Sequence, residues 1–267
     1  MLFRSKESFR KLVAIVPDDG CIVARWDHDD VRDVCTEARC EVRKYGVGQQ
    51  WDGRIDGVDT DRGVQRFTVL RDGNPWGRFE SLLVGEHNLY NQVAAVASLE
   101  REGLGPDQLA KGFASFGGVK RRQEIIGEPR RITVLDDFAH HPTAVKVTLE
   151  ALRLRFGKRR MWAIFEPRSA TSRRAVFQQA YAESFDTADV IVVAEPHDQG
   201  RIPEAERFDS HKLVDRLRAR GREAFSYASV EEIVAVVAAN ALPSDVIAVL
   251  SNGGFGGLHQ KLLAALA

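Results

Sequence analysis

From about residue 130 onward, short apolar runs alternate with amphipathic segments, and this alternation limits the possible folds more than any other feature of the chain. The predicted strands span 132–135, 161–165, 190–194, 223–227 and 246–250, and the predicted helices span 143–156, 172–185, 210–220, 230–239 and about 254–266. Strands and helices that alternate across short loops build a mainly parallel sheet with helices on both faces. We therefore predict a doubly wound α/β domain over residues 119–267.

The first half of the chain, residues 1–118, follows a different pattern. Strand-like runs are separated by turn signals, of which Asp72-Gly73-Asn74-Pro75 is the clearest hairpin turn; the runs span 21–25, 41–45, 65–71 and 78–83. Apolar residues at helical spacing then predict a helix that opens near Gly85 and runs to about Glu102, and a second helix at about 106–114. This half is predicted to combine antiparallel strands with two helices, and the domain boundary lies near Gly118.

Composition excludes several classes of partner. The chain has 267 residues, with 38 Lys+Arg and 38 Asp+Glu, so no overall positive field attracts nucleic acid or an anionic membrane. Its apolar stretches fall short of the ~18 residues of a membrane helix, and charges near the N-terminus interrupt any secretion signal. Three cysteines form no C-x-x-C pair. We expect a cytoplasmic protein with reduced thiols, no membrane insertion and no bound nucleic acid.

Two polar clusters lie before or at the predicted boundary. His87, Asn88 and Asn91 lie in the first turns of a predicted helix. Their amides could donate and accept at the edge of an adenine ring, or Asn88 could simply cap the helix. At the boundary, Lys120-Arg121-Arg122 could meet phosphate oxygens, or it could be a solvated run of charge.

Three more polar loops follow predicted strands, at the edge where doubly wound sheets bind ligands. The loop 136–143 could hold a ribose or a magnesium shell, or its Pro142-Thr143 could only start a helix; its adjacent histidines point apart, so no transition-metal site is predicted. Arg168 could clamp a carboxylate or be an ordinary surface arginine. The glycine-rich loop 251–257 indicates either a bound anion or close backbone packing.

Together these motifs resemble the Mur ligase family. They are G-x-H-N-x-x-N at 85–91, V-K-R-R-x-E at 119–124, D-D-F-A-H-H-P-T at 136–143, E-P-R-S-x-T at 166–171 and S-N-G-G-F-G-G-x-H at 251–259. The resemblance runs from about Phe9 to the C-terminus. It implies the C-terminal part of a central ATPase domain over residues 1–118 and a C-terminal Rossmann-like domain over residues 119–267.

The resemblance also implies an activity. Family members activate a carboxylate with ATP as an acyl phosphate, with Mg²⁺ as a cofactor, and an amine then attacks to form an amide. The motifs at 136–143 and 251–257 indicate a ligase of peptidoglycan recycling that joins UDP-N-acetylmuramate to the murein tripeptide L-Ala-γ-D-Glu-meso-diaminopimelate, rather than one that adds L-alanine.

By motif, the resemblance implies a role for each of a larger set of residues. His87, Asn88 and Asn91 would line the adenine site, Arg122 would meet the ATP phosphates, and Asp137 would bind the ribose. Arg122 and His140 are the predicted catalytic residues. The tripeptide site would be shaped by His141, Arg168, Ser169, Ser251, Asn252, Gly253 and Gly254. Where the family usually has Asn, this chain has Ala170, so one polar contact to the peptide is in doubt.

No G-x-x-x-x-G-K-[ST] loop occurs in the sequence. A UDP-binding domain and the acidic and histidine residues that hold magnesium in the family are also missing. We therefore expect a C-terminal fragment that is inactive alone, with ATP and Mg²⁺ bound largely by residues outside it. Two alternatives stay open: a non-catalytic peptide-binding module, and a nicotinamide-dependent oxidoreductase. The latter is weakened because no G-x-G-x-x-G opens the first βα unit.

Overall fold

The computed structural model describes residues 2–196 and 198–267, and for residues 2–4 it describes the backbone only. The chain forms two compact units, Met1–Gly117 and Gly118–Ala267. In the described part, no helix is long and apolar enough to cross a bilayer.

The first unit is a five-stranded sheet with helices. Its elements, in chain order, are α1 Leu2–Ala14, β1 Cys21–Arg25, α2 Asp29–Cys35, β2 Glu41–Tyr45, β3 Trp51–Asp59, β4 Val64–Arg71, β5 Asn74–Ser81, α3 Glu86–Arg101 and α4 Pro106–Ser115. The strands are ordered β1-β2-β3-β4-β5. Trp51, Phe67 and Phe79 pack against α3 and α4 in the core of this unit.

The prediction of an antiparallel first half is correct for β4 and β5 and wrong for β1 and β2. The hairpin turn lies between β4 and β5, as predicted. However, β1 pairs with β2 in parallel, because α2 crosses between them and returns the chain in the same direction. Strand β3 was missed because Gly53 interrupts its apolar face. A side chain there would collide with Leu89 and Val93, whose atoms would lie 2.9 and 2.7 Å from its Cβ.

The second unit contains a six-stranded sheet with helices. Its elements are β6 Glu124–Gly127, β7 Thr133–Asp137, α5 Pro142–Phe156, β8 Met161–Phe165, α6 Gln178–Ser184, β9 Val190–Ala194, α7 Ser210–Ala219, β10 Glu223–Tyr227, α8 Val230–Asn240, β11 Val246–Leu250 and α9 Leu258–Leu266. The strands are ordered β10-β9-β8-β11-β7-β6. Helices α5, α6 and α7 cover one face of the sheet, and α8 and α9 cover the other. The predicted doubly wound architecture is confirmed.

Two local predictions in this unit differ from the structure. The antiparallel edge strand β6 was not predicted. The helix expected at 172–185 is reduced to a 3₁₀ turn at 175–177 followed by α6. The cause is the segment before it, where the Ser169 hydroxyl accepts a bond from the backbone N–H of Ser172 at 3.0 Å. Such side-chain bonds compete with helix formation.

Asp245 anchors the amino end of β11, at the edge opposite the polar loops. It is 3% exposed, and Oδ2 accepts bonds from the indole N–H of Trp162 at 2.9 Å and from the backbone N–H of Leu242 at 3.0 Å. Buried donors that lose their acceptor pay the full cost of desolvation.

We expect Asp245→Ala to lower the free energy of unfolding of the second unit by about 2 kcal/mol or more. Hydrogen exchange of the β11 amides measures this unit separately from the first. Asp245→Asn, which keeps one acceptor oxygen, should lose less. The exposed Asp215 on α7 provides the control, since Asp215→Ala should change stability by no more than about 0.5 kcal/mol. Equal protection in all three variants would contradict the anchoring role.

Candidate functional site

The central strand β11 brings three of the predicted loops together. It pairs in parallel with β7 on one side and β8 on the other, so that Leu250 lies opposite both Asp137 and Phe165. Just beyond the strand, the backbone N–H of Ser251 donates to Asp137 O, and that of Glu166 donates to Leu250 O, both at 3.0 Å. The loops 136–143, 166–171 and 251–257 therefore leave the sheet at the same edge.

The glycine-rich loop lies directly under Arg168. A Cβ on Gly253 would overlap Cδ and Nε of Arg168 and lie 2.9 Å from its Cζ. The guanidinium also lies 3.5 Å from Oε1 of Glu166, while the other oxygen of Glu166 accepts a bond from the Ser251 hydroxyl. The Arg168 side chain is 55% exposed, so more than half of it is accessible to solvent. Gly253 makes room for the Arg168 side chain in this arrangement and does not have a left-handed backbone conformation.

Beside Arg168 lies a cleft of about 490 Å³ at the carboxyl ends of the strands. Its wall carries charges of both signs; the charged residues are Glu166, Arg168, Arg173, Glu195 and Asp198. Glu195 follows β9 as Glu166 follows β8, and each is followed by proline. The sequence interpretation named neither glutamate as a site residue, and this repeated Glu-Pro pair was the signal that could have found them.

The adjacent histidines carry their protons on different nitrogens. His140 Nδ1 lies 2.9 Å from the carbonyl oxygen of Phe138, which can only accept, so Nδ1 is the donor and Nε2 of the neutral ring is free to accept a proton. His141 Nδ1 instead accepts a bond from the backbone N–H of Thr143 at 3.3 Å and caps α5. The structure thus gives His141 a structural task, and its predicted contact with substrate stays a prediction.

Several other predicted peptide-site residues are used within the loops. Ser251 is fully buried, and its hydroxyl accepts the backbone N–H of Gly253 at 2.9 Å. Ser169 holds the turn before α6, where its hydroxyl donates to Ser172 Oγ at 2.8 Å. Asn252 differs, because its buried side-chain oxygen has no hydrogen-bond partner among the described residues. Its amide oxygen could accept a bond from a ligand.

Arg122 and Asp137 lie close to one another at the start of the second unit. The Arg122 side chain is exposed, and its charge favours the ionised form of Asp137. Asp137 is 3% exposed and accepts bonds from the backbone N–H groups of Gln123 and Ala139, both at 2.8 Å. Burial raises the pKa of the Asp137 carboxyl, although these bonds and Arg122 oppose the shift. Because both oxygens already have donors, a ribose contact for Asp137 stays a prediction.

In the first unit, the predicted adenine residues divide in two. Asn88 is 9% exposed, and its side-chain N–H donates to the carbonyl oxygen of Val84 at 2.9 Å. Asn91 is exposed, and it lies one turn after the half-buried His87 on the same face of α3. A larger cavity of about 610 Å³ in this unit is lined by Arg66, Arg78 and α4 and contains none of the predicted site residues.

Two features common in nucleotide sites are absent from the sequence or from its described part. Among the described residues no group of three or more His, Cys, Asp or Glu side chains could hold a metal ion, and the sequence has no P-loop.

Comparison with known proteins adds independent information. The family model of the Mur ligase middle domain matches residues 4–99, and that of the Mur ligase glutamate ligase domain matches residues 121–253. The UDP-N-acetylmuramate–L-alanyl-γ-D-glutamyl-meso-2,6-diaminoheptandioate ligase of Escherichia coli is 36% identical over 98% of this chain and 55% of that protein. The UDP-N-acetylmuramate–L-alanine ligase of an Anaeromyxobacter strain is 33% identical over 99% of this chain and 58% of its own length.

A solved structure also resembles the chain. The murein peptide ligase of Psychrobacter arcticus matches with a TM-score of 0.65 and 28% identity, covering 99% of this chain and 55% of that one. The chain therefore spans a little over half the length of the relatives that it matches.

The contact between Gly253 and Arg168 generates a paired prediction. We expect Gly253→Ala to displace the Arg168 side chain from Glu166, because the new methyl group occupies its place, with little loss of stability since the end of an arginine can move. Gly254→Ala is the matched control: no atom lies within 4 Å of the Cβ position, and φ is −82°. The Nε–H resonance of Arg168 in a ¹⁵N spectrum should shift in the first variant only. Equal shifts in both variants would show that the contact is not specific.

Proposed function

The chain belongs to the Mur ligase family, and we propose from this premise that it is part of an ATP-dependent ligase that joins UDP-N-acetylmuramate to L-Ala-γ-D-Glu-meso-diaminopimelate. Relatives matching over nearly the whole chain carry out either this reaction or the addition of L-alanine, according to their names. The choice between the two amines rests on the cleft beside Arg168. Such a ligase would work in the cytoplasm.

The observation that carries the proposal is the mixed charge of this cleft. A cleft of about 490 Å³ is far larger than an alanine needs. The tripeptide has several carboxylates and an ammonium group, so it requires both cationic and anionic partners. Arg168 presents a planar fork that matches a carboxylate. Glu195, half turned to solvent at 40% side-chain exposure, could accept a bond from an ammonium group.

The proposed reaction has two steps. The carboxylate of UDP-N-acetylmuramate attacks the γ-phosphorus of ATP, which gives an acyl phosphate and ADP. The peptide amine then attacks the acyl carbon, loses one proton and expels phosphate. Arg122 would stabilise the charge on the transferring phosphoryl group, and Nε2 of His140 is the acceptor we assign to the amine proton, since Nδ1 is committed to Phe138 O. Asn91 would contact the adenine.

A gain-of-function experiment tests the proposal. The part of the E. coli relative that this chain does not cover is fused before residue 4, and ligation is measured with ATP and UDP-N-acetylmuramate. We expect the fusion to ligate the tripeptide and not L-alanine. The 267-residue chain assayed by itself should neither hydrolyse ATP nor ligate, because the backbone cradle and lysine for the β- and γ-phosphates are absent.

The outcomes separate the alternatives. Ligation of L-alanine in place of the tripeptide would overturn the proposed substrate but keep the reaction. A folded fusion that binds the tripeptide without ligating it would favour a non-catalytic peptide-binding module. Turnover by the unfused chain would contradict the expectation of inactivity, because it would show that the chain holds the ATP phosphates without a P-loop.

Arg168 provides the test of peptide recognition. In the fusion enzyme we expect Arg168→Lys to raise the KM for the tripeptide at least about tenfold, or about 1.4 kcal/mol, because lysine keeps the charge but loses the second of two parallel hydrogen bonds. The KM for ATP should stay within about twofold. The control is Arg216→Lys, which changes an exposed arginine on α7. An unchanged tripeptide KM would leave Arg168 as an ordinary surface arginine.

A further inference from the structure

Arg122 lies in a short segment with an unusual backbone. We call residues 119–124 the strap. Within it, Arg121 has φ 59° and Gln123 has φ 50°, values in the left-handed region that side chains other than glycine rarely adopt and that cost free energy. Arg122 is therefore flanked on both sides by residues that would not hold this conformation without help from their surroundings.

Two consecutive aspartates of β7 supply that help from opposite faces of the sheet. Successive side chains of a strand point to opposite faces. Asp137 turns towards α5, where Thr148 Oγ1 lies 3.4 Å from its Oδ1, and it holds the backbone N–H of Gln123 at 2.8 Å. Asp136 turns to the other face, where its Oδ2 lies 3.3 Å from Nε of Arg121.

The Arg121 side chain extends this connection to the glycine-rich loop. Its guanidinium donates to the carbonyl oxygens of Ser251 at 2.5 Å and Gly253 at 2.9 Å. On the far side of Asp136, Nε2 of His259 lies 3.1 Å from Oδ1 but is not aligned as a hydrogen bond. Asp136 therefore fixes an arginine that in turn fixes the loop beneath Arg168.

Further bonds hold the strap from both ends. The backbone N–H of Arg121 donates to Oε2 of Glu124 at 2.7 Å, and the backbone N–H of Phe138 donates to Arg121 O at 2.9 Å. The buried Arg155 of α5 reaches Gln123 O at 3.3 Å. Arg121 is thus bound to the protein through side chain and backbone, and Gln123 through its backbone, while the Arg122 side chain is exposed.

We propose that Asp136 and Asp137 are positioning residues that act through Arg122: together they hold Arg121 and Gln123 in the left-handed conformation and so set the direction in which the Arg122 guanidinium points. The inference rests on the proposed function, which makes Arg122 the group that meets the phosphoryl. In this proposal the buried Asp137 carboxylate, whose two oxygens already accept hydrogen bonds, orients Arg122 without contacting the nucleotide. Without the two carboxylates, Arg121 and Gln123 relax towards ordinary φ values, and the Arg122 guanidinium is no longer held in one orientation. Small displacements of such a group cost large factors in rate.

A double-mutant cycle in the fusion enzyme tests this proposal. We expect Arg122→Ala to lower kcat at least about a hundredfold and Asp137→Asn to lower it about tenfold or more, because the amide puts a donor where an N–H needs an acceptor. If Asp137 acts only through Arg122, then adding Asp137→Asn to Arg122→Ala should lower kcat by less than about twofold further. Asp215→Asn is the control, with unchanged kcat.

The outcomes distinguish the inference from the function on which it rests. Additive losses in the cycle, with Arg122→Ala slow, would overturn positioning and return Asp137 to a direct role such as the ribose contact. Wild-type turnover of Arg122→Ala would overturn the proposed role of Arg122, and the positioning proposal with it. Asp136→Asn is combined with Arg122→Ala in a second cycle, since Asp136 acts through Arg121. The losses in kcat should again be non-additive, so the proposal is still tested if Asp137→Asn fails to fold.

Hydrogen exchange on the 267-residue chain measures the strap directly. In Asp137→Asn, the amides of Gln123 and Ala139 should exchange at least about tenfold faster, while those of β9 keep their protection. Unchanged exchange at Gln123 would show that the carboxylate does not hold the strap and would overturn the proposal whatever the kinetics.

Discussion

The candidate site depends on the backbone hydrogen bonds that insert β11 between β7 and β8. All three strands are buried along their whole length, and their registers place the last residue of each strand at the same level. Two more bonds beyond the register, from Ser251 to Asp137 O and from Glu166 to Leu250 O, carry this alignment into the loops. The charged groups of three loops therefore converge because of strand pairing, before any side-chain contact between them is made.

At this edge, the motif residues divide into those that hold the loops and those that face outward. The side chains of Ser251, Ser169 and His141 form hydrogen bonds with neighbouring backbone or side-chain groups. Arg122 and Arg168 have exposed side chains. Arg122 lies on backbone that is fixed by its neighbours, and Arg168 lies above Gly253. This division is useful chemically, since a group that is held in place before a ligand arrives loses less entropy on binding.

The sequence predicted the second unit better than the first for a physical reason. Buried parallel strands are continuous apolar runs between short loops, so β8, β9 and β11 were found at the bounds that the structure shows. The direction of β2 depends on α2, a seven-residue helix with three aspartates that has no clear apolar periodicity. Without that helix, a turn is the simpler connection, and an antiparallel pair follows from it.

The candidate site was predictable at the level of loops and less so at the level of atoms. Polar residues after buried strands identify the carboxyl-end edge of the sheet as the site. Glu195, however, lines the cleft because β9 lies beside β8, and this strand order could not be read from the sequence. Burial of Asp137 likewise depends on the strap folding over the end of β7, with Gln123 donating to it.

The proposed peptide site and the proposed adenine residues lie in different units. Every residue that lines the cleft beside Arg168 belongs to Gly118–Ala267, whereas Asn91 and His87 belong to Met1–Gly117. The cleft proposed for the peptide is therefore lined by described residues of one unit. Phosphoryl transfer has a stricter requirement, since the phosphates need a backbone cradle that this sequence does not contain. Under the proposed function, binding of the tripeptide and activation of the UDP-N-acetylmuramate carboxylate are then distinct steps, and a change at Arg168 and a change at Arg122 should affect them independently.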